Sequence, residues 1–181
     1  REDLQVIARH LSGQQDLKVL NYGSWNGWLS NHLVKWGHQP LAIAYFADEY
    51  DGLGAQQFYH NDWASVQMDI EGNLAIIEDT FDVIILNRGV AFLVDPAKTI
   101  EELISKLAPR GQLMITGFNY SKDTEKVKER FQQHRKHYHE KHGIELLFTP
   151  TKGYLSNQDV LAIKALGVQL KPHPNKFLQN I

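Results

Sequence analysis

The fold is decided by residues 81–115, which read FDVIILNRGVAFLVDPAKTIEELISKLAPRGQLMI. The opening run FDVIIL is apolar with little polar alternation, which is typical of a buried strand. Pro96 then opens a helix with apolar side chains at helical spacing, and Pro109-Arg110-Gly111 ends it. A further apolar run follows from Gln112 to Phe118. Strand, helix and strand in this order predict parallel pairing in a sheet that is covered on both faces.

The same alternation occupies the first half of the chain. Leu17–Tyr22 predicts a strand, and the apolar spacing from Trp28 to Trp36 predicts a helix that ends at Gly37. Leu41–Phe46 predicts a second strand, and Gln57–His60 a short third one. With right-handed crossovers, these elements give an α/β fold built on a doubly wound, mostly parallel sheet.

The last third of the chain predicts two helices and an antiparallel C-terminal edge. Asp123–His142 is typical of a long helix, whose inner stripe is predicted to be Val127, Phe131, His134 and Tyr138. Ser156 is a candidate N-cap for a second helix, which ends at Gly167. Three short segments are predicted to be strands: Ile144–Phe148, Val168–Leu170 and Lys176–Leu178. Because no linker or repeat interrupts the chain, residues 1–181 are predicted to form one domain.

Composition narrows the possible chemistry. The chain has 181 residues, of which 43% are hydrophobic, and this is enough for one full core. It contains no cysteine, so thiolate nucleophiles, iron–sulfur clusters and cysteine-ligated zinc are excluded. This composition fits a reducing compartment, and we expect a cytoplasmic location. No apolar run approaches the roughly 20 residues that a membrane helix needs.

The formal charge of −2 hides an asymmetry along the chain. Residues 1–121 carry 8 basic and 15 acidic side chains, whereas residues 122–181 carry 11 basic and 6 acidic ones. Such a split can mark a surface for an anionic partner, but a solvated helix face followed by ordinary surface lysines is the simpler explanation. Because the basic excess is diffuse and contains no Lys/Arg run, nucleic acid is not the expected partner.

The loop after the first strand is the expected binding site. In a doubly wound sheet, ligands bind outside the carboxyl ends of the strands. The loop and its flanks (residues 21–30) read NYGSWNGWLS. Gly23 and Gly27 would let the backbone approach a ligand, and the following helix N-terminus would direct amide groups at it. The two glycines could also serve only to end the strand tightly.

Three common nucleotide and hydrolase motifs are absent. The spacing Gly-x-x-x-Gly, followed by a second strand that ends in Tyr45-Phe46, lacks the acidic residue of a dinucleotide fingerprint. Neither a phosphate-binding loop ending in Gly-Lys-Ser/Thr nor a Gly-x-Ser-x-Gly nucleophile elbow occurs. Hydride transfer and serine hydrolysis are therefore not expected.

In the glycine loop and in residues 81–115, the sequence resembles the class I S-adenosylmethionine-dependent methyltransferases of the small-molecule type. VLNYGSWNGWLS matches the family's first strand and glycine loop, and KWGH (residues 35–38) matches its approach to the second strand. Residues 81–115 match its "Phe-Asp-Val" strand, terminal Asn87, Asp-Pro pair, helix and Leu-x-Pro-x-Gly turn. The resemblance implies a Rossmann-like sandwich and methyl transfer from S-adenosylmethionine to a small molecule.

The resemblance also implies which residues hold the cofactor. The glycine loop would contact the amino-acid end, the end of the second strand would lie against ribose and adenine, and a third-strand acid would address the adenine amino group. The implied set is Asn21, Gly23, Ser24, Trp25, Asn26, Gly27, Tyr45, Phe46, Asp62, Trp63, Asn87 and Arg88. For Trp25 the alternative is an interface aromatic, and for Asp62 it is a helix N-cap.

The chain departs from the family pattern at several of these positions. Asn21 replaces the first-strand acid, Trp25 replaces the middle glycine, and no carboxylate ends the second strand at Tyr45-Phe46. Ala91 and Phe92 occupy the positions where the family often has an acid and a histidine, so no catalytic residue is assigned. The alternative function is therefore a methyltransferase-like interaction or scaffold domain without catalysis.

Histidine pairs in the predicted long helix raise the question of a metal. His134 and His137, like His139 and His142, are spaced i, i+3, which can place each pair on one helix face. Metal sites usually add a third ligand in an oriented pocket, whereas the neighbours here are mostly Lys and Arg. A satisfied core histidine is the expectation for His134, and no metal site is predicted.

Overall fold

Strands and helices alternate along the chain in the computed structural model, which describes residues 2–118, 123–147, 150–169 and 171. The helices are α1 (Glu2–Leu11), α2 (Trp28–Lys35), α3 (Pro96–Ser105), α4 (Thr124–His142) and α5 (Asn157–Ala165). The strands are β1 (Lys18–Tyr22), β2 (Gln39–Ala44), β3 (Ala64–Gln67), β4 (Phe81–Asn87) and β5 (Leu107–Thr116). Short 3-10 helices cover Leu53–Phe58, Leu74–Ile76 and Val90–Phe92.

The strands form one parallel sheet in the order β3-β2-β1-β4-β5. The chain builds outward from β1 to β3 and then returns to place β4 on the other side of β1. The direction of winding therefore reverses between β1 and β4, where Tyr22 lies opposite Leu86. This reversal opens a crevice at the carboxyl ends of the strands and confirms the predicted doubly wound α/β fold.

Helices cover both faces of the sheet, which explains why β4 lacks polar alternation. Val83 and Ile85 pack with side chains of α1 and α2, whereas Ile84 and Leu86 pack with α3 and α5. All four side chains are buried, and each contributes about 1.5–3 kcal/mol of transfer free energy. Within the described residues, none of the helices is long and apolar enough to cross a bilayer.

The helix α1 was not predicted from the sequence. Its apolar residues Leu4, Ile7 and Leu11 recur at helical spacing and pack over β1 and β4. Asp3, in its first turn, is buried and forms an ion pair with Arg88, whose Nε lies 2.7 Å from the carboxylate. The helix thereby fastens the start of the chain to the loop that follows β4.

The prediction of the third strand was wrong. Gln57–His60 lies in the 3-10 helix at Leu53–Phe58 and the turn after it, and the third strand is β3 at Ala64–Gln67. All four residues of β3 are exposed because it is an edge strand. It therefore has no continuous apolar run by which the sequence could reveal it. The fifth strand also begins earlier than expected, at Leu107.

α4 begins where the sequence predicts, but it lies on the surface. Asp123 caps it by accepting a hydrogen bond from the Lys126 amide at 3.1 Å. None of its side chains is fully buried, and its clearest contact is between the rings of Phe131 and Tyr154, 6.1 Å apart. His134 is exposed, so the expectation of a core histidine was wrong.

Two of the three predicted C-terminal strands are not strands in their described residues. Residues 144–147 form no strand, and Phe148 lies outside the described residues. Residues 168 and 169 are likewise not in a strand, while Leu170 and Lys176–Leu178 lie outside the description. The prediction was therefore wrong for the described parts of the first two segments, and only Lys176–Leu178 stays a prediction.

α5 begins with a capping box, as its Ser156 predicts. The Ser156 side chain accepts from the Asp159 amide, and the Asp159 carboxylate accepts from the Ser156 amide at 2.8 Å. Burial alone would raise the pKa of Asp159, but hydrogen bonds from Lys152 and Ser156 outweigh it and lower this pKa below its usual value. The carboxylate form is therefore the one that stabilises the folded state.

This arrangement predicts a pH-dependent stability. Asp159→Asn should lower the free energy of unfolding by about 1 kcal/mol at neutral pH. Because the folded pKa is depressed, the contribution is present above the unfolded value of about 3.9 and is lost as pH falls through the folded pKa. Denaturant unfolding from pH 7 to pH 3 checks this: the gap between wild type and variant should close at the acid end. A gap independent of pH would contradict the assigned role.

Candidate functional site

The loop from Gly23 to Gly27 has an unusual backbone. Gly23, Trp25 and Gly27 have φ angles of +69°, +51° and +74°, all in the left-handed region. The Ser24 amide donates to the carbonyl of Ile43 at 2.9 Å, and the Gly27 amide donates to the carbonyl of Ser24 at 3.0 Å. The loop is thereby coiled on itself and fastened to the carboxyl end of β2.

Trp25 adopts the conformation that glycine would adopt at this position. A left-handed backbone costs an L-residue about 1–2 kcal/mol. The side chain is 49% exposed, so burial of the indole offsets only part of this cost. The loop therefore holds Trp25 in a conformation that its own side chain disfavours.

Position 27 has no room for a side chain, because Trp63 packs against it. A Cβ atom at this position would lie 2.4 Å from Cζ2 of Trp63. The indole is 9% exposed and packs with Ala42 and Ala44 of β2. Trp63 thus packs against the last residue of the glycine loop, just before α2. Its buried Nε1 has no hydrogen-bond partner among the described residues.

Two further polar side chains are buried beside the loop. Nδ2 of Asn21 donates to Oγ of Ser30 at 2.8 Å, which joins the end of β1 to the first turn of α2. The Ser24 hydroxyl is also buried, and among the described residues it has no hydrogen-bond partner. A buried hydroxyl without a partner costs free energy unless a bound molecule satisfies it.

The end of β2 places an aromatic pair at the crevice. The Tyr45 hydroxyl donates to Oε2 of Glu71 at 3.2 Å, while Phe46 is half exposed. Burial and the negative charge of Glu71 raise the pKa of Tyr45 well above its usual value, so its hydroxyl stays protonated. The next acidic residue along the chain, Asp48, accepts the amides of Tyr50 and Asp51 and so closes its own turn.

Glu71 joins three segments beside the crevice. Besides the Tyr45 hydroxyl, its carboxylate accepts the Val94 amide at 2.8 Å and the Thr99 hydroxyl at 3.3 Å. It thus connects the ends of β2 and β3 to the start of α3. Glu71 also lines a cleft of about 370 Å³, together with Asp69, Asp95, Glu102 and Lys98. The described residues contain no group of three or more side chains that could hold a metal ion.

Asp62 and Trp63 precede β3, so they lie at its amino end. Asp62 is exposed, and Trp63 is buried against β2. The first carboxylate after β3 is Asp69, which stands at the carboxyl end of the sheet and accepts the Glu71 amide at 3.2 Å. Asp69 was not predicted because the third strand was expected too early in the chain. With the strand correctly placed at 64–67, Asp69 would have been the first acidic residue after it.

Asn87 ends β4 as predicted, at the other side of the crevice. Its Oδ1 accepts a hydrogen bond from the Thr116 hydroxyl at 3.0 Å, so the end of β4 is held to β5. Arg88 follows with a φ of +61°, and its guanidinium is held by Asp3. Phe92, in the 3-10 helix after it, is half exposed. The structure therefore brings Asn21, the loop 23–27 and Asn87 to one edge of the sheet.

The sequence profile of the family described as "Methyltransferase domain" matches residues 3–150. The chain belongs to this family. No curated protein matches the sequence significantly. The matched residues include the glycine loop and all five strands of this methyltransferase domain.

Solved structures resemble the methyltransferase domain over most of its length. A Bacillus halodurans protein with a provisional methyltransferase name has a TM-score of 0.68 at 16% identity, covering 95% of this chain and 71% of its own. A TehB-like SAM-dependent methyltransferase from Corynebacterium glutamicum has a TM-score of 0.59 at 16% identity, with coverages of 94% and 74%. The N-methyltransferase NodS from Bradyrhizobium japonicum, in complex with S-adenosyl-L-homocysteine, reaches 0.51 at 21% identity, with coverages of 61% and 57%. At these identities the similarity establishes the fold.

Proposed function

We propose that the domain binds S-adenosylmethionine at the carboxyl edge of its sheet and transfers the methyl group to a small molecule. The observation that carries this proposal is the backbone of the glycine loop. Three of its five residues are left-handed, and the conformation persists at Trp25 although the side chain there makes it unfavourable. A strained conformation of this kind is common at binding sites. Family membership supports the same conclusion.

The loop has room and hydrogen-bonding capacity for the amino-acid end of the cofactor. At Gly23 a Cβ atom would have no neighbour closer than 3.9 Å, so the backbone is open there. The Ser24 hydroxyl is buried and unpartnered among the described residues, which suits a polar ligand group. Asn26 and Gly27 complete the cradle at the start of α2, whose N-terminus favours negative charge.

The adenosine end would lie across the ends of β2 and β3. Tyr45 and Phe46 supply aromatic surface, and Asp69 supplies an acceptor for the adenine amino group, the role that the sequence analysis gave to Asp62. With no carboxylate at the end of β2, the ribose hydroxyls would lose charge-assisted hydrogen bonds worth about 1.5–3 kcal/mol. We therefore expect weaker cofactor binding than an acidic residue at this position would give.

The chemistry follows from what the chain's own residues can do. When bound, S-adenosylmethionine supplies an electrophilic methyl group. Asn87 would line the pocket next to it, and Phe92 would present an apolar wall to the acceptor. Because Ala91 and Phe92 cannot take up a proton, the acceptor must reach the site with a free lone pair. The contribution of the domain is then the positioning of two reactants, which can account for much of a methyl-transfer rate.

The alternative is a non-catalytic interaction domain that keeps the fold. It is favoured by Asn21, whose amide is used in a hydrogen bond to Ser30, and by the missing acid at the end of β2. Isothermal titration with S-adenosylhomocysteine separates the two functions, because only the first requires binding at the loop.

Trp25→Gly is expected to tighten S-adenosylhomocysteine binding by at least threefold. The substitution removes an indole from the position of the family's middle glycine, where it would occupy space that the amino-acid end of the ligand needs. Titration calorimetry measures the change, and Trp25→Phe, which keeps a ring there, should bind like wild type. Unchanged or weaker binding by the glycine variant would refute the steric role of Trp25.

A further inference from the structure

α4 carries a row of basic side chains that the methyltransferase function does not use. Within this helix, basic residues recur at i, i+4, i+8, i+11 and i+15, a spacing that keeps them within one face. We call this row the basic stripe; it consists of Lys126, Arg130, His134, His137 and Lys141. All five are exposed, and the row is about 22 Å long at the rise of an α-helix.

The basic stripe differs from the other cations of α4 in its ion pairing within the described residues. The other cations of α4 have acidic partners: Lys128 pairs with Glu125, Arg135 with Glu145 and Lys136 with Glu140. In the part of the chain that the structure describes, none of the five stripe residues forms an ion pair or a side-chain hydrogen bond. The sequence shows only a diffuse basic excess, whereas the helix arranges part of it in a line.

An aromatic pair lies beside the basic stripe. The rings of Tyr138 and His142 are 4.6 Å apart, and in helical projection Tyr138 lies next to His134 of the stripe, whereas His142 lies further round the helix. Phe131 lies on the same side of α4 as Tyr138 and packs on Tyr154, so this side of the helix faces the domain and Tyr138 is half-buried. An amphipathic helix that binds a membrane needs that apolar side free, so an anionic lipid surface fits α4 poorly.

We propose that the basic stripe binds the phosphate backbone of a single-stranded nucleic acid, with bases stacking on Tyr138. A row of basic side chains, three of them Lys or Arg, complements phosphates that repeat along a strand, and aromatic rings beside such a row are typical of single-strand binding. A duplex would offer the phosphates but not the unstacked bases. The partner is therefore distinguished from other polyanions by the combination of charge row and aromatic surface.

The test is fluorescence anisotropy of a labelled 20-nucleotide single-stranded RNA of mixed sequence, with the complete chain at about 50 mM salt. The stripe variant Lys126→Gln/Arg130→Gln/Lys141→Gln should bind at least tenfold more weakly. The control variant Lys128→Gln/Arg135→Gln/Lys136→Gln removes the same charge from other faces of α4 and should bind within threefold of wild type. Circular dichroism verifies that both variants keep their helix content.

Further measurements separate the competing explanations. The slope of log affinity against log salt should fall by about 2 in the stripe variant, at about 0.7 per phosphate contact of a single strand. Tyr138→Ala should weaken binding about fivefold, the lower end of a stacking contribution, while Tyr138→Phe should retain it. No binding by wild type, equal losses in both triple variants, equal affinity for duplex RNA, or tighter binding to anionic vesicles would each overturn the proposal. So would a salt-sensitive dimer that forms through the stripe without any RNA binding.

Discussion

Gly27→Ala is expected to lower the free energy of unfolding by about 2–4 kcal/mol. The first contribution is the positive φ of +74°, which alanine adopts at a cost of about 1 kcal/mol. The second is overpacking, since the new Cβ would lie 2.4 Å from Trp63 and force the buried indole to move, at about 1–3 kcal/mol. Thermal unfolding should show a melting temperature roughly 5–15 °C below wild type for a domain of this size.

Two controls separate the cost of the left-handed backbone from the cost of the close contact with Trp63. Gly13 also has a positive φ, +80°, but a Cβ there would meet nothing within 4 Å, so Gly13→Ala should cost only about 1 kcal/mol. In a double-mutant cycle, Trp63→Phe should recover part of the loss caused by Gly27→Ala, because it removes the ring atoms that clash. Additive losses in the cycle would show that Trp63 does not set the requirement for glycine.

Asp69→Ala is expected to weaken S-adenosylhomocysteine binding roughly 10- to 100-fold. This corresponds to the loss of a charge-assisted hydrogen bond to the adenine amino group, about 1.5–3 kcal/mol. The residue stands at the carboxyl end of β3, where its carboxylate is exposed and caps the following turn through the Glu71 amide. Titration calorimetry on the folded variant gives the change in affinity directly.

The matched control for this prediction is Asp62→Ala. Asp62 is exposed at the amino end of β3, away from the crevice, so its removal should change affinity less than twofold. Asp69→Asn keeps an oxygen for the Glu71 amide and should have the melting temperature of wild type, which distinguishes lost binding from a disturbed turn. A large loss with Asp62→Ala and none with Asp69→Ala would contradict the proposed position of the adenine.

Strands that are buried on both faces could be predicted from the sequence. β1, β2 and β4 lie inside the sheet, so both of their faces need apolar side chains, and the resulting runs are easy to recognise. The edge strand β3 is exposed at all four positions and has no such run. Because the third strand was predicted too early in the chain, the acidic residue expected to follow it and contact the adenine was Asp62 and not Asp69.

The supports of the site depend on contacts between distant parts of the chain. Glu71 accepts from Tyr45, Val94 and Thr99, which are 23–28 residues away, and no local pattern announces such a carboxylate. The same holds for Trp63 beneath Gly27, where the sequence shows a glycine but not the ring that requires it. The surface position of α4 likewise follows from packing, since its sequence alone suggests an inner stripe.

If the glycine loop and Asp69 form a site for S-adenosylmethionine, calorimetric titration of the wild-type chain with S-adenosylhomocysteine should give saturable heat for one site. The melting temperature should also rise with ligand concentration. At 100 times the dissociation constant, the ligand should stabilise the folded state by about 2.7 kcal/mol. Asp69→Ala should reduce both effects. Absence of heat and of any thermal shift at millimolar ligand would contradict the presence of this site and leave a methyltransferase fold that serves as an interaction domain.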